Sequence, residues 1–218
     1  MSKKVNEIKK ELVFYAKLLE EKGYANSFEG NISIIDRDTD TLYITPSGMR
    51  KSFLNEDMVA VIKDGEQIGG SFKRSSEYLL HEAALKARPD CVAAVHTHSP
   101  YLTAYAYCNQ GVKLKCATTF ALLFEDIPCI PYGEPGTTAI ADGIETVIKD
   151  RPLILLGNHG VVSVGRSMEE AVALVESAED ALKIYHLTKQ IGLVVDIPAT
   201  EYEDLLANHY ASVRNRYK

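Results

Sequence analysis

The stretch VAAVHTHSPY, residues 92–101, ends a short apolar run with two histidines one residue apart. The run from Val92 to Thr97 predicts a buried strand, because it is short and apolar and lies between Pro89, which ends one helical pattern, and Pro100, which begins the next. In a strand, the side chains of His96 and His98 leave the same face with their Cα atoms about 6.5 Å apart. Two imidazoles at this spacing can bind one metal ion, although such pairs also arise without a metal.

Patterns on both sides of this strand predict an α/β fold. Hairpin-like strands come first and helices are interspersed later, which favours a largely antiparallel sheet layered with helices over a doubly wound parallel sheet. The predicted strands are 31–35, 41–45, 58–63, 92–97, 127–131 and a pair within 153–164. The predicted helices are 3–22, 75–88, a stretch starting at Pro100, 137–149, 167–190 and 200–215.

Composition limits the possible partners. The chain has 218 residues, 46% of them hydrophobic, and no linker or repeat, so we expect a single domain over residues 1–218. Its formal net charge is −6 and no Lys or Arg cluster forms a stripe, so we expect no nucleic-acid partner. No apolar run approaches the about 18 residues of a membrane span, so we expect no membrane partner and a cytoplasmic protein. Four cysteines without a Cys-x-x-Cys pair argue against disulfides and a thiolate metal site.

A third candidate ligand lies in LILLGNHGVVSVG, residues 153–165. His159 stands between Gly157 and Gly160, where small residues allow close backbone approach and a polar side chain can point into a cleft. An exposed histidine in a hairpin turn explains the same pattern. Three imidazoles with one open position would form a catalytic-type zinc site. Among the other histidines, we consider only His81, on the helix after Glu77, as a candidate supporting residue.

The stretch SFKRSSEYLLHEAALKARPD, residues 71–90, places a carboxylate beside two serines at the predicted start of a helix. Ser75 or Ser76 can cap this helix and Glu77 can complement its dipole, which explains all three residues without a ligand. Free N–H groups and hydroxyls at a helix start also form an anion site, and a glutamate beside it can act as a base near a metal. Small polar stretches at 30–33, 45–48 and 133–136 are further candidates for lining that site.

Together and in this order, the stretches GNIS, ITPSG, SSE, HTH, IPCIPYGEPGT and GNHGVV resemble the class II aldolase/adducin family, and within it the L-fuculose-1-phosphate aldolases. The resemblance covers almost the whole chain. It implies a three-layer α/β/α fold with a mostly antiparallel central sheet, assembled as a homotetramer with active sites at subunit junctions. It also implies one divalent metal ion per subunit, usually Zn²⁺, with Mn²⁺ or another divalent ion as an alternative.

The resemblance assigns roles to individual residues. It implies that His96, His98 and His159 bind the metal, and that Glu77 is the acid/base and a further metal ligand in the resting site. It implies that Tyr210 is the C-terminal tyrosine that closes over the site. The positions that match the family's substrate phosphate site are Gly30, Asn31, Ser47, Gly48, Ser75 and Ser76.

The function that the resemblance implies is cleavage of a ketose 1-phosphate, a sugar phosphate, to dihydroxyacetone phosphate and an aldehyde through a metal-stabilised enediolate. No lysine stands out in an apolar pocket, so we expect no Schiff base. The fuculose-phosphate enzymes have a tyrosine from a neighbouring subunit 19 residues after the second histidine, where this chain has Ala117. Loss of this phenol favours a less polar aldehyde half, such as that of a 5-deoxy- or methylthio-pentulose 1-phosphate.

Three other functions within the family remain alternatives. A methylthioribulose-1-phosphate dehydratase is the hardest to separate from an aldolase. An L-ribulose-5-phosphate 4-epimerase would have a trans aspartate just after the position of Ala117, where Thr118 and Thr119 stand. A non-catalytic adducin-type binding module is disfavoured, because the three histidines and Glu77 are intact. Product identification separates the enzymes from one another, and metal analysis separates them from the binding module.

Overall fold

An eight-stranded sheet forms the centre of the molecule. The computed structural model describes residues 3–210, with side chains described for residues 4–207. The strands lie side by side in the order β4-β3-β2-β1-β5-β8-β7-β6. Their bounds are β1 Asn31–Asp36, β2 Thr41–Ile44, β3 Ala60–Lys63, β4 Glu66–Gly69, β5 Ala93–Thr97, β6 Cys129–Ile130, β7 Leu153–Leu156 and β8 Gly160–Gly165.

The sheet is mixed, because one of its pairings is parallel. Strand β6 runs parallel to β7, and the other neighbouring strands pair antiparallel. The predicted antiparallel meander corresponds to β1, β2 and β3. Strand β4 is absent from the sequence prediction, and it follows a turn at Asp64 and Gly65 with φ of 51° and 77°. Positive φ at both positions is typical of a two-residue hairpin turn, so the Asp-Gly pair was the available signal for β4.

Helices cover both faces of the sheet, which agrees with the predicted three layers. One buried apolar cluster includes residues of α1, α3, α4 and α6, and a second includes residues of α2 and α5. We call the sheet face covered by the second cluster the α2 face. The helices are α1 Lys3–Glu21, α2 Tyr78–Ala87, α3 Pro100–Tyr107, α4 Thr118–Phe124, α5 Ile144–Val147, α6 Met168–Ile191 and α7 Ala199–Asp204.

Strand alternation directs the polar residues of the central strands to the α2 face. In β5, Val95 belongs to the first cluster and Ala94 to the second, so the period of two places His96 on the α2 face. In β1, Ile32 belongs to the first cluster, so Asn31 also points to the α2 face. Because β1 and β5 pair with Asn31 opposite His96, both polar side chains meet at one place under the start of α2.

The helical predictions are less accurate towards the C-terminus. The predicted helix 137–149 is instead a 3₁₀ turn, Thr138–Ala141, followed by α5, because Gly143 with φ 83° interrupts the helix. The predicted helix 200–215 begins as α7 and continues as a wider turn over Leu205–Tyr210, and its remainder lies outside the described residues. Helix α4 was not part of the sequence prediction. Within residues 3–210, no helix is long and apolar enough to cross a membrane.

Candidate metal centre and substrate cleft

Two neighbouring chain segments carry the three histidines. His96 lies in β5 and His98 immediately follows this strand, whose end is fixed by the His98 backbone N–H donating to the Tyr24 carbonyl at 2.9 Å. His159 lies in the turn between β7 and β8, next to Gly160. A Cβ atom at Gly160 would lie 2.6 Å from the Thr97 carbonyl oxygen, so only glycine allows the turn to approach the end of β5 this closely. The glycine beside His159 therefore brings the third imidazole to the first two.

Glu77 approaches the histidines from the start of α2. Its Oε1 lies 3.0 Å from His159 Nε2 and its Oε2 lies 3.5 Å from His96 Nε2. The Nε2 atoms of His96 and His98 are 3.1 Å apart, and the potential ligand atoms of the three histidines all lie within 4.8 Å of one another. The structure thus brings together the four residues predicted to bind a metal.

These distances fit a single small ion. Two ligand atoms about 2.0 Å from a tetrahedral zinc ion are about 3.3 Å from each other. The separations of 3.0, 3.1 and 3.5 Å between the nitrogen and oxygen atoms above bracket this value. Three imidazoles and a carboxylate are also a donor set that zinc and similar divalent ions accept. The residues present therefore fit a divalent metal ion.

The protonation state of these groups suits metal binding. His96 Nδ1 lies 2.9 Å from the Val161 carbonyl, which can only accept, so this nitrogen donates and Nε2 keeps its lone pair. Burial lowers the pKa of His96 and of His98 to about 4, so both are neutral at neutral pH. Burial acts to raise the pKa of Glu77, but His96, His159 and a hydrogen bond from Asn31 outweigh it and hold that pKa below the usual carboxyl value.

A chain of buried hydrogen bonds supports Glu77 from behind. Asn31 Nδ2 donates to Glu77 Oε2 at 2.6 Å, and Asn31 Oδ1 lies 2.5 Å from His81 Nε2. Because Oδ1 can only accept, His81 carries its proton on Nε2, and its Nδ1 accepts from the Ser33 hydroxyl at 2.7 Å. His81 is thus a supporting residue of the site, as the sequence suggested. The side-chain amide of Asn31, predicted to bind phosphate, instead makes hydrogen bonds with Glu77 and His81.

A cleft of about 270 Å³ opens beside the histidines. Its walls combine the residues predicted for the metal site with those predicted for the phosphate site, and His96 is buried beneath it. Ser75 Oγ accepts from the Glu77 backbone N–H at 3.2 Å, which shapes the wall where α2 begins. The predicted residues that line the cleft are Gly30, Asn31, Ser47, Gly48, Ser75, Ser76, Glu77, His98 and His159.

Pro46 and Pro135, from the stretches 45–48 and 133–136, also line the cleft as the sequence suggested. Four further residues were not indicated by the sequence, namely Ser27, Phe28, Glu29 and Lys51. The most informative is Lys51, which is only 4% exposed. Burial lowers the pKa of Lys51 to about 8. The sequence singled out no lysine in a buried pocket, and on this point the expectation was wrong. The sequence Arg50-Lys51 has no pattern that tells which of its two cations faces inward.

Ala117, at the position of the family's trans tyrosine, does not line the cleft of its own chain. Ala117 precedes α4 and lines a separate groove beside the C-terminal half of α6. Tyr210 ends the turn after α7, and its side chain lies outside the described part of the structure. The described cleft of one chain is therefore built without Ala117.

Comparison with known proteins agrees with this geometry. Residues 10–186 match the model of the class II aldolase and adducin N-terminal domain. The chain is 35% identical to a 5-deoxy-D-ribulose 1-phosphate aldolase of Bacillus thuringiensis serovar kurstaki, with 90% of this chain and 92% of that protein aligned. It is 33% identical to a 5-methylthioribulose-1-phosphate/5-deoxyribulose-1-phosphate aldolase of Escherichia coli, over 81% of each chain.

Two further similarities extend the comparison. The chain is 32% identical to a 3-oxo-tetronate 4-phosphate decarboxylase of Escherichia coli, over 81% of this chain and 85% of that protein. A solved structure of an L-fuculose 1-phosphate aldolase superimposes with a TM-score of 0.83 at 29% identity, covering 93% of this chain and 94% of that one. On the match of its family model and of its relatives, the chain belongs to the class II aldolase and adducin family.

Proposed function

We propose that this protein is a metal-dependent aldolase that cleaves a ketose 1-phosphate to dihydroxyacetone phosphate and an aldehyde. The observation that carries the proposal is the convergence of His96, His98, His159 and Glu77 at a cleft that serine and glycine residues also line. A site that holds a Lewis acid next to an ionised carboxylate and an anion-binding wall suits cleavage of a carbon–carbon bond beside a ketone.

The three histidines and Glu77 would hold the ion, for which Zn²⁺ is our first choice and Mn²⁺ an alternative. When bound, the ion supplies a Lewis acid that stabilises negative charge on the ketone-derived oxygens. The burial that keeps His96 and His98 neutral leaves their lone pairs available at neutral pH. The chain of hydrogen bonds through Asn31 holds the Glu77 carboxylate at this position.

Glu77 would move the protons of the reaction. Cleavage removes a proton from the hydroxyl that becomes the aldehyde and delivers one to C3 of the remaining three-carbon fragment. Because Glu77 is ionised at rest, it can accept the first proton and then, once protonated, supply the second. Its Oε2 accepts from Asn31, and its Oε1 faces His159 Nε2 at 3.0 Å.

The start of α2 and the turn at Ser47 and Gly48 would bind the phosphate. Helix α2 has ten residues, and the N–H groups at its start carry partial positive charge. Ser75 and Ser76 stand before this helix, and Ser47 and Gly48 line the same cleft, so hydroxyl and amide groups can face one ligand there. Such a wall binds phosphate oxygens well.

The aldehyde half of the substrate would be weakly polar. Ala117 provides no phenol, and two relatives of this chain are named for 5-deoxyribulose and 5-methylthioribulose phosphates. We therefore propose a 5-deoxy- or methylthio-pentulose 1-phosphate as substrate.

We also propose a homotetramer in which a neighbouring subunit completes the site. Supporting this, the end of α6 and the segment after it expose large apolar side chains beside the groove of Ala117, including Ile184, Ile191 and Leu193.

The test is an assay of the zinc-loaded protein on ketose 1-phosphates, with dihydroxyacetone phosphate release as the readout. We expect a higher kcat/KM for 5-deoxyribulose and methylthioribulose 1-phosphates than for L-fuculose 1-phosphate. A preference for L-fuculose 1-phosphate would refute the argument from Ala117. Loss of water without cleavage would favour the dehydratase, and release of CO₂ from a 3-oxo acid phosphate would favour the activity for which the decarboxylase relative is named.

A further inference from the structure

Lys51 places a buried cation in the wall of the cleft. It begins the short 3₁₀ turn Lys51–Phe53, just after the turn that contains Ser47 and Gly48. The side chain of its neighbour Arg50 is 61% exposed, whereas Lys51 as a whole is 4% exposed. The Lys51 Nζ atom donates to the Asn26 carbonyl at 2.7 Å, so the ammonium group has a fixed position.

The charge of this ammonium group is not neutralised locally. Among residues 4–207, no carboxylate lies within ion-pair distance of Lys51 Nζ. The two carboxylates that influence it from further away have other partners. Glu20 pairs with Arg50 and accepts from the Ser52 backbone N–H, and Glu77 faces the histidines and Asn31. A buried cation without a counter-ion is costly, so such a group usually has a ligand that supplies the missing charge.

The position of Lys51 indicates which ligand this is. Among the residues that line the cleft, Lys51 is the single Lys or Arg, and the serines, glycines and Asn31 around it are neutral. An ammonium group has three N–H donors, and the described contacts of Lys51 use one. Two donors therefore remain for an anion that enters between Lys51 and the start of α2.

We propose that Lys51 is the cation that binds the phosphate group of the substrate, and that it makes the cleft selective for phosphorylated over non-phosphorylated ketoses. The inference rests on the proposed function for the identity of the substrate. It adds a substrate-contacting cation to a proposed phosphate site that otherwise consists of hydroxyl and backbone N–H groups.

Two other roles of Lys51 make different predictions. A purely structural lysine would hold the loop at Asn26 through its one hydrogen bond, and phosphate would bind equally well without it. A nucleophilic lysine would form an imine with a ketone substrate, a reaction favoured because burial lowers the pKa of Lys51 to about 8. Borohydride reduction would then link the three-carbon product covalently to the protein.

The experiment measures the dissociation constant of inorganic phosphate with the zinc-loaded full-length protein and its variants. In Lys51→Met, we expect phosphate to bind about 10- to 100-fold more weakly, the size expected for loss of one hydrogen bond to a charged group. Lys51→Arg should restore most of the affinity because it keeps the charge. Lys9→Met is the matched control, since Lys9 is 3% exposed on α1 and does not line the cleft.

The thermal stability of each variant separates binding from structure. Phosphate should raise the melting temperature of the wild type and of Lys9→Met but not that of Lys51→Met, even if the latter starts lower because it loses the contact to Asn26. In the cleavage assay, Lys51→Met should raise KM for the ketose 1-phosphate more than it lowers kcat. The fall in kcat/KM should be larger for the ketose 1-phosphate than for the non-phosphorylated ketose.

Clear outcomes would overturn the inference. Equal phosphate affinity in Lys51→Met and wild type would show that Lys51 is structural, and the proposed aldolase activity would be unaffected by that result. Borohydride-dependent labelling of Lys51 with dihydroxyacetone phosphate would make Lys51 a nucleophile instead. Phosphate binding that depends on Lys51, in a protein that cleaves no ketose 1-phosphate, would support the phosphate site and contradict the proposed function.

Discussion

Replacing His81 with leucine tests whether the buried hydrogen bonds behind Glu77 contribute to catalysis. His81 is fully buried and does not line the cleft, so it can influence the reaction only through its hydrogen bond with Asn31. In His81→Leu, the bond of 2.5 Å to Asn31 Oδ1 and the bond of 2.7 Å to Ser33 Oγ are both lost. The Asn31 amide then keeps only its hydrogen bond to Glu77 Oε2, so the amide and the carboxylate that it holds are less firmly fixed.

The size of the effect follows from the groups left without partners. Each buried polar group that loses its hydrogen bond costs about 1–3 kcal/mol, so two of them lower the free energy of unfolding by about 2–6 kcal/mol. Loss of a group that orients a metal ligand typically reduces metal affinity or activity by about 10- to 100-fold. We therefore expect lower stability together with a fall in kcat of this order.

The assay combines denaturant unfolding, zinc affinity and steady-state kinetics on the same preparations. Ser33→Ala removes the outer hydrogen bond alone and should affect stability more than kcat. His81→Gln keeps a side-chain donor for Asn31 Oδ1 and should recover part of the activity. His186→Leu serves as a control, because His186 on α6 packs against Tyr101 of α3 and against Tyr185, and it does not line the cleft.

A His81→Leu protein with wild-type kcat and wild-type zinc affinity would refute this reasoning, whatever its stability. The effect of His81→Leu on activity should also depend on whether Glu77 is present. In a Glu77→Gln background, which has already lost the carboxylate, replacing His81 should still lower stability but should cause no further loss of activity.

Three other predictions concern the same site. Glu77→Gln should keep the fold and reduce carbon–carbon cleavage by about 10²- to 10⁴-fold, because the acid/base is lost; full activity of this variant would exclude Glu77 from the mechanism. Ser76→Asp should raise KM for the ketose 1-phosphate or abolish turnover, because a second negative charge occupies the anion site; unchanged kinetics would place the phosphate elsewhere. The metal-free protein should lose stability as pH falls from about 6.5 towards 4, because burial lowers the pKa of His81, His96 and His98 to about 4 while the unfolded chain binds these protons near pH 6.5. Each group should contribute up to about 1.4 kcal/mol per pH unit in this window, and a flat profile in urea unfolding would contradict these protonation states.

Much of the candidate metal site was predictable from local sequence. The period of two in a strand places His96 and His98 on one face, and the glycine after His159 permits the close approach that brings in the third imidazole. The role predicted for Glu77 followed from its position at a helix start and from the family resemblance. These features depend on short-range geometry, which sequence patterns express well.

Contacts between distant segments were not predictable in the same way. Asn31 is 46 residues from Glu77 and 50 from His81, and no local pattern shows that its amide is committed to both. The burial of Lys51 rather than Arg50 depends on how one turn packs against the loop at Asn26. The parallel pairing of β6 depends on a two-residue strand, which is too short for a periodic signal.

The most direct test of the metal-dependent mechanism is the rate of dihydroxyacetone phosphate release from 5-deoxyribulose 1-phosphate as a function of bound zinc per subunit. The metal-free protein should be inactive, and activity should rise linearly to a plateau at one ion per subunit. His96→Ala and His159→Ala should neither retain the ion nor reach that plateau. Undiminished release of dihydroxyacetone phosphate after complete metal removal would contradict the account.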